Sequence, residues 1–195
     1  MRPIDVAVVG IAAVFVLPVA LVVAVAIRLT LGPRVLFAQR RLGRGGVPFT
    51  LYKFRTMSAP RPGADSPEFD HERLGRLGLF LRRTSLDELP SFVNVLRGDM
   101  ALVGPRPLPV HYFDRFRGDE YERFVVRPGV TGHAQLEGRN AIDWDARLAL
   151  DVEYVRSRSL VGDLRLLGRT VAFVVSGDGV DAADGVTMTE LPVDR

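Results

Sequence analysis

The sequence predicts an α+β, mainly helical fold: an apolar N-terminal helix in a membrane, a β-hairpin, and amphipathic interfacial helices around a small globular domain. Three observations carry this. Residues 6–27, "VAVVGIAAVFVLPVALVVAVAI", contain no charge. Residues 35–57, "VLFAQRRLGRGGVPFTLYKFRTM", set apolar and aromatic runs on either side of a Gly-rich turn at Gly43 to Gly46. Apolar residues then recur at helical spacing, through Leu74, Leu77 and Leu81, through Leu148, Val152 and Val155, and through Leu160, Leu164, Leu167 and Val171.

The uncharged run makes a helix of roughly 33 Å, enough for a hydrocarbon core of about 30 Å. A spanning helix is one reading. A cleaved signal peptide is a second, with Ala24-Val25-Ala26 as a small-x-small site, although the run exceeds the usual ~7 to 15 residues. The third starts from Pro18, which removes a backbone N–H near the middle and predicts a broken, re-entrant helix that enters and leaves by one face. Arg2 before the run and Arg28, Arg34, Arg40 and Arg41 after it put positive charge on both sides, which suits that option. On these grounds spanning and re-entry stand level, because prolines are tolerated in membrane spans.

In the second strand of the hairpin, period-2 alternation puts Phe49, Leu51, Lys53 and Arg55 on one face and Thr50, Tyr52 and Phe54 on the other. Lys53 and Arg55 can then meet one anion, or guard an edge strand as solvated charges. Lys53 is the single lysine in an arginine-dominated chain. The glycine cluster is not a phosphate loop, because Pro48 and a strand follow it instead of a helix. Residues 58–70, "SAPRPGADSPEFD", form a polar linker or lid. From Ser176 the sequence has the polarity and glycine of a loose tail.

The totals narrow the chemistry. A chain of 195 residues supports one domain with a real core. Its 26 Lys and Arg against 23 Asp and Glu give a formal charge of +3, which favours phosphates or an anionic membrane surface. With no cysteine there is no disulfide, thiolate metal site or thiol nucleophile, so any nucleophile is an oxygen or a nitrogen. No nucleic-acid-binding motif accompanies the arginines, and a nucleic-acid partner is not expected. His71, His111 and His133 lie too far apart for a local metal motif.

The acidic pair Asp87-Glu88 has two readings. Ser85-Leu86-Asp87-Glu88 fits a capping box, with Ser85 capping a helix and Glu88 reaching back to it. Yet a carboxylate at a helix start stays ionised, neighbouring N–H groups bind phosphate oxygens, and Mg²⁺ takes one or two carboxylates plus substrate phosphates. Arg82 and Arg83 precede the pair. Downstream, Gly104-Pro105-Arg106-Pro107 stiffens the backbone around an arginine suited to bidentate phosphate binding.

In combination, Pro18 in the apolar run, "KFRTM" at 53–57, "TSLDELP" at 84–90, "NVLRGDMALVGPRPL" at 94–108 and "RPGVTGHAQLEGRN" at 127–140 resemble the bacterial sugar transferases, the monotopic phosphoglycosyl transferases. The resemblance runs to about Gly179. It implies transfer of a sugar 1-phosphate from a UDP-sugar donor to a polyprenyl phosphate acceptor, releasing UMP, as the first membrane step of a surface glycan. It implies Asp87 as nucleophile and Mg²⁺ ligand, carrying a covalent phosphosugar, with Glu88 positioning groups or moving a proton. Lys53 and Arg106 match positions linked to substrate phosphates, with Arg55 and Arg82 expected beside them, and Asp163, Arg139 and Asn140 as further site residues.

The resemblance also decides for re-entry at Pro18, at the bacterial inner (cytoplasmic) membrane with the catalytic domain on the cytoplasmic face. The expected organisation is residues 1–32 as the membrane-inserted helix, 33–179 as the catalytic domain and 180–195 as a polar tail, together a minimal catalytic module. Membrane lipids are expected partners, and formation of a homo-oligomer is left open. The chain departs from the family at His133, where an aromatic residue is common, at Glu137, where a small polar residue is common, and at Arg158, where tryptophan is frequent. These departures bear on the donor sugar and the late helices and leave the acidic pair intact.

Overall fold

A computed structural model describes residues 3–60, 70–137, 142–176 and 190–193. Most of the expected linker or lid at 58–70 and most of the tail at 180–195 lie outside these residues. The described chain is mostly helical, with two two-stranded sheets.

Helix α1, Pro3–Thr30, is 28 residues long, about 42 Å at 1.5 Å per residue. Its helical hydrogen bonding runs through Pro18 without an interruption, so the expected break is not a gap in the helix. Proline's fixed φ is compatible with an α-helix, and what it removes is one N–H bond. One face of α1 is buried at Val9, Val23 and Ile27. The rest, including Ile11, Phe15, Leu17, Leu21, Val22 and Leu29, is exposed. Only 11% of the most apolar window is covered by protein, which marks a surface for lipid and not a core helix.

Strands β1, Leu36–Leu42, and β2, Pro48–Phe54, pair antiparallel in the expected hairpin, from Leu36 opposite Phe54 to Leu42 opposite Pro48. A short 3₁₀ turn, Arg44–Gly46, closes it. Helices α2, Asp70–Arg73, and α3, Arg76–Arg83, follow. At Gly78, α3 crosses the Thr56 carbonyl so closely that a Cβ would overlap it. That approach seats Arg82 beside the hairpin, where its Nε donates to Thr56 Oγ1 at 3.1 Å.

The chain then turns at Ser85, whose φ of 55° lies in the left-handed region rarely used by residues other than glycine. A 3₁₀ segment, Leu86–Ser91, leads into helix α4, Phe92–Arg97. Gly98, at φ 82°, ends α4, with the Gly98 and Asp99 N–H groups bonding the Val95 and Asn94 carbonyls. Asn94 is fully buried and ties this end to β2 by donating to the Thr50 carbonyl and accepting from the Tyr52 N–H. The "NVLRGDM" stretch is therefore a structural splice.

Strands β3, Ala101–Val103, and β4, Gly129–Thr131, pair in parallel, with 3₁₀ segments Val110–Arg115 and Gly118–Phe124 between them. Helices α5, His133–Glu137, α6, Trp144–Ser157, and α7, Leu160–Ser176, complete the order. The stripe read along α7 divides. Leu167 packs on the core, whereas Leu160, Leu164 and Val171 are exposed.

Three apolar clusters hold these elements. Val9 of α1 joins Phe49, Leu51, Val95, Met100, Leu102, Val103 and Tyr154. Val23 and Ile27 join Phe54 and Leu81, with Leu86 and Leu89 of the 3₁₀ segment packed against them. Tyr112, Phe116, Phe124, Trp144 and Leu148 form the third with Leu191, which is completely buried. The reading of a loose tail is corrected there, because Arg115 holds the Leu191 carbonyl at 2.6 Å. Leu191 in the core and the Arg115 and Arg117 contacts to Glu190, Leu191 and Val193 dock residues 190–193.

Replacing Gly78 with alanine drives a methyl group into the Thr56 carbonyl. An overpacking cost of about 1–3 kcal/mol is expected, read as a Tm lower by roughly 2–4 °C per kcal/mol in thermal unfolding of detergent-purified protein.

Candidate active site

Alternation in β2 places Lys53 on the face that carries Phe49 and Leu51 into the core, so its ammonium points inward. There Lys53 Nζ lies 2.6 Å from Glu88 Oε1 and 4.0 Å from Asp87 Oδ2. Arg106 Nη2 reaches the same Glu88 oxygen at 3.0 Å. One carboxylate thus joins three segments distant in sequence.

This arrangement corrects the capping-box reading. With Ser85 in the left-handed region, its side chain makes no cap and Glu88 is turned away from it towards β2. The carboxylates belong to a 3₁₀ segment, whose tighter winding sets Asp87 and Glu88 facing Lys53.

The shared environment drives the two acids apart. Burial alone would raise Glu88, but the charges and hydrogen bonds of Lys53 and Arg106 outweigh it and hold its pKa at about 2. For Asp87 burial dominates, opposed by Lys53 and reinforced by the Glu88 charge, and its pKa rises to about 6. Burial depresses Lys53 and Glu88 pulls it back. The Glu88 charge raises Arg106, whose side chain keeps 37% of its surface exposed and can meet a ligand. Arg82 acts on Asp87 through its charge.

The Arg106 loop is fixed through its carbonyls. Val103 O lies 3.1 Å from the Tyr154 hydroxyl, and Pro105 O accepts from the Gly129 N–H. Arg106 O accepts from Arg123 Nη2, Pro107 O from Arg41 Nη1 and Leu108 O from the Leu42 N–H. Pro105, Pro107 and Pro109 have no N–H, so the loop is anchored through acceptors.

The structure brings Lys53, Arg82, Asp87, Glu88 and Arg106 together. It does not bring Arg55, which instead donates to the Leu31 carbonyl just beyond α1. The expectation of a shared anion fails: the Arg55 backbone still bonds the Val35 carbonyl alongside β1, while its side chain reaches the end of α1 instead of the acidic pair. Asp163 is buried and bonded by the Tyr154 hydroxyl at 2.7 Å, a contact that links α7 to β3. Arg139 and Asn140 lie outside the described residues. Arg41, Arg123 and Asp151 escaped the sequence reading, although Arg147, Asp151 and Tyr154 at spacings of four and three on α6 signal a polar stripe within a buried face.

Among the described residues no three His, Asp or Glu side chains converge as a metal cage. Among the described residues, Asp87 has Lys53 at 4.0 Å as its ion-pair contact and accepts no hydrogen bond, which keeps oxygen lone pairs open. That suits a hard cation bound by one carboxylate and phosphate oxygens.

A family model described as bacterial sugar transferase matches residues 1–177. The chain is 45% identical over 161 residues to the uncharacterized sugar transferase EpsL of Bacillus subtilis, covering 83% of this chain and 80% of that protein. It is 41% identical over 171 residues to the UDP-glucose:undecaprenyl-phosphate glucose-1-phosphate transferase of Caulobacter vibrioides, covering 83% and 64%. To the protein of the same description in Escherichia coli it is 38% identical over 164 residues, covering 79% and 35%.

Because the folded chain holds the Asp87 proton more tightly than the ordinary value of 3.8, its favourable contribution is present below that pH and is lost as pH rises through about 6. Asp87→Asn is therefore expected to raise Tm by about 5 °C at pH 7.5 and to lose the advantage at pH 4, measured in chelator. An unchanged or lower Tm at pH 7.5 contradicts the strain assigned to this carboxylate.

Proposed function

The chain belongs to the bacterial sugar transferase family, and from that premise we propose that it transfers a sugar 1-phosphate from a UDP-sugar to polyprenyl phosphate. UMP leaves, and a polyprenyl-diphosphate sugar forms as the first membrane step of a surface glycan. The named activities of the Caulobacter and Escherichia relatives support this donor and an undecaprenyl phosphate acceptor. The observation that carries the reading is the divided acidic pair, with Glu88 bound by two cations and Asp87 unbonded beside them.

An Asp87 oxygen attacks the sugar-bearing phosphorus of the donor. The P–O–P bond breaks, and its electron pair departs on UMP. An oxygen of the polyprenyl phosphate then attacks the same phosphorus, the Asp87–phosphorus bond breaks, and the carboxylate is restored. With its pKa held near 2, Glu88 is too weak a base to take a proton at neutral pH, so its role is to position Lys53 and Arg106. Those cations and Arg82 face the phosphate oxygens on which charge gathers. Mg²⁺ bound by Asp87 and the donor phosphates would add further charge neutralisation there.

The membrane geometry is consistent with this reading. Val9 and the pair Val23 and Ile27 lie about 21 Å apart along α1, yet both pack on the globular body. A helix held at both ends by one body supports entry and exit through a single face, with Pro18 between. Leu86 and Leu89 pack beside α1, which supports a site for Asp87 near the depth of a lipid phosphate, and the exposed apolar side chains of α7 suit the interface. A nucleotide-sugar donor favours a cytoplasmic face.

The test is intact-protein mass spectrometry after mixing with Mg²⁺ and a panel of UDP-sugars without lipid, beside Asp87→Asn. A phosphosugar adduct on the wild type alone, with UMP released in a burst stoichiometric with enzyme, is expected. Turnover that needs polyprenyl phosphate and gives no adduct would mean a single-step ternary mechanism instead. Chelation is expected to stop adduct formation, and added Mg²⁺ to restore it.

A further inference from the structure

Arg123 lies behind the loop and touches none of the acidic pair. Its side chain is 3% exposed. Its Nη2 donates at 2.8 Å to the Arg106 carbonyl and at 2.8 Å to Asp151 Oδ2 of α6. The guanidinium carbon sits 5.2 Å from the Phe116 ring centroid and 5.5 Å from that of Phe124. Its Nε and Nη1 have no partner among the described residues.

Burying a guanidinium with several donors unsatisfied is a poor way to stabilise a fold. Apolar side chains of similar volume often replace buried ion pairs without loss. The phenylalanine-walled site would accept one. What such a replacement lacks is a donor for the Arg106 carbonyl. Arg106 stands between Pro105 and Pro107, so the rotation of its backbone is governed by that carbonyl at one end and by Glu88 at the tip of its side chain. When Glu88 yields Arg106 to an incoming phosphate, the Arg123 contact remains as the restraint on Arg106's own carbonyl, between the held carbonyls of Pro105 and Pro107.

We propose that Arg123, anchored by Asp151, is a positioning residue that aims Arg106 at the donor diphosphate by fixing the Arg106 carbonyl. This rests on the assignment of Arg106 to a substrate phosphate. The relay runs from Asp151 on α6 through Arg123 to the main chain of Arg106 and on to its guanidinium. A displacement of about 1 Å at such a group is enough to cost about a hundredfold in rate.

The experiment is a double-mutant cycle of Arg123→Met and Arg106→Ala in the full chain, read as UDP affinity by calorimetry, UMP release from a UDP-sugar, and Tm. Asp151→Asn is carried beside Arg123→Met so that a folding failure of one leaves the other. Arg123→Met is expected to lower Tm, because it leaves the buried Asp151 carboxylate without its cation, and, in the folded fraction, to weaken UDP about tenfold and slow UMP release about a hundredfold. In the Arg106→Ala background it is expected to change neither by more than about twofold. Equal losses in both backgrounds, or no loss in the first, overturn the relay. If the wild type releases no UMP from any donor even with polyprenyl phosphate present, the transferase reading fails, and the UDP-affinity cycle still decides the relay.

Discussion

The carboxylate of Glu88, shared by Lys53 and Arg106, closes three chain segments on one point. A strand, a 3₁₀ segment and a proline-bound loop have no local reason to meet there. Charge supplies the reason, since each cation would be costly to bury without the carboxylate, and the carboxylate costly without them. Once that triad is satisfied, Asp87 is left as the acid in excess, buried, next to a fixed negative charge and 4.0 Å from its nearest cation. The difference between the two acids follows from connectivity, because both cations bond to Glu88 and neither bonds to Asp87.

The scaffold around the triad works through backbone acceptors. Five carbonyls between Val103 and Leu108 are met by donors from four parts of the chain: Tyr154, the Gly129 N–H, Arg123, and Arg41 with Leu42 of β1. Helix α6 supplies two of these supports, directly through Tyr154 and through Arg123 from Asp151. Apolar clusters on either side carry the load, one running from α1 to α7 and another closing over α6 with Leu191. The loop is rigid because its polar groups are satisfied, not because it belongs to a sheet.

Much of this was legible in the sequence. The hairpin follows from alternation and a glycine turn, α1 from its lack of charge, and the inward placement of Lys53 from its face of the strand. Local reading failed where a long-range contact decides. Ser85 fits a cap by residue type, but its left-handed backbone turns the acids towards β2. Arg55 lies one pair beyond the end of β2, and its side chain is taken by the Leu31 carbonyl instead of joining Lys53. Arg123 and Asp151 are ordinary charges in the sequence, and only the packing of α6 on the Gly118–Phe124 segment buries them. Leu191 and Val193 lie in a short, largely polar stretch with too little pattern for a periodic signal, and Leu191 is the one that is buried.

The packing of α1 also bears on how the protein is made. Val9, Val23 and Ile27 are core residues of two clusters, and Leu86 and Leu89, which flank the acidic pair, rest on the same helix. A nascent chain cannot finish its globular body before this helix has found both the bilayer and the domain. Docking of this helix and maturation of the acidic turn are then coupled, because a chain without α1 in place leaves the apolar faces of two clusters uncovered beside Asp87 and Glu88.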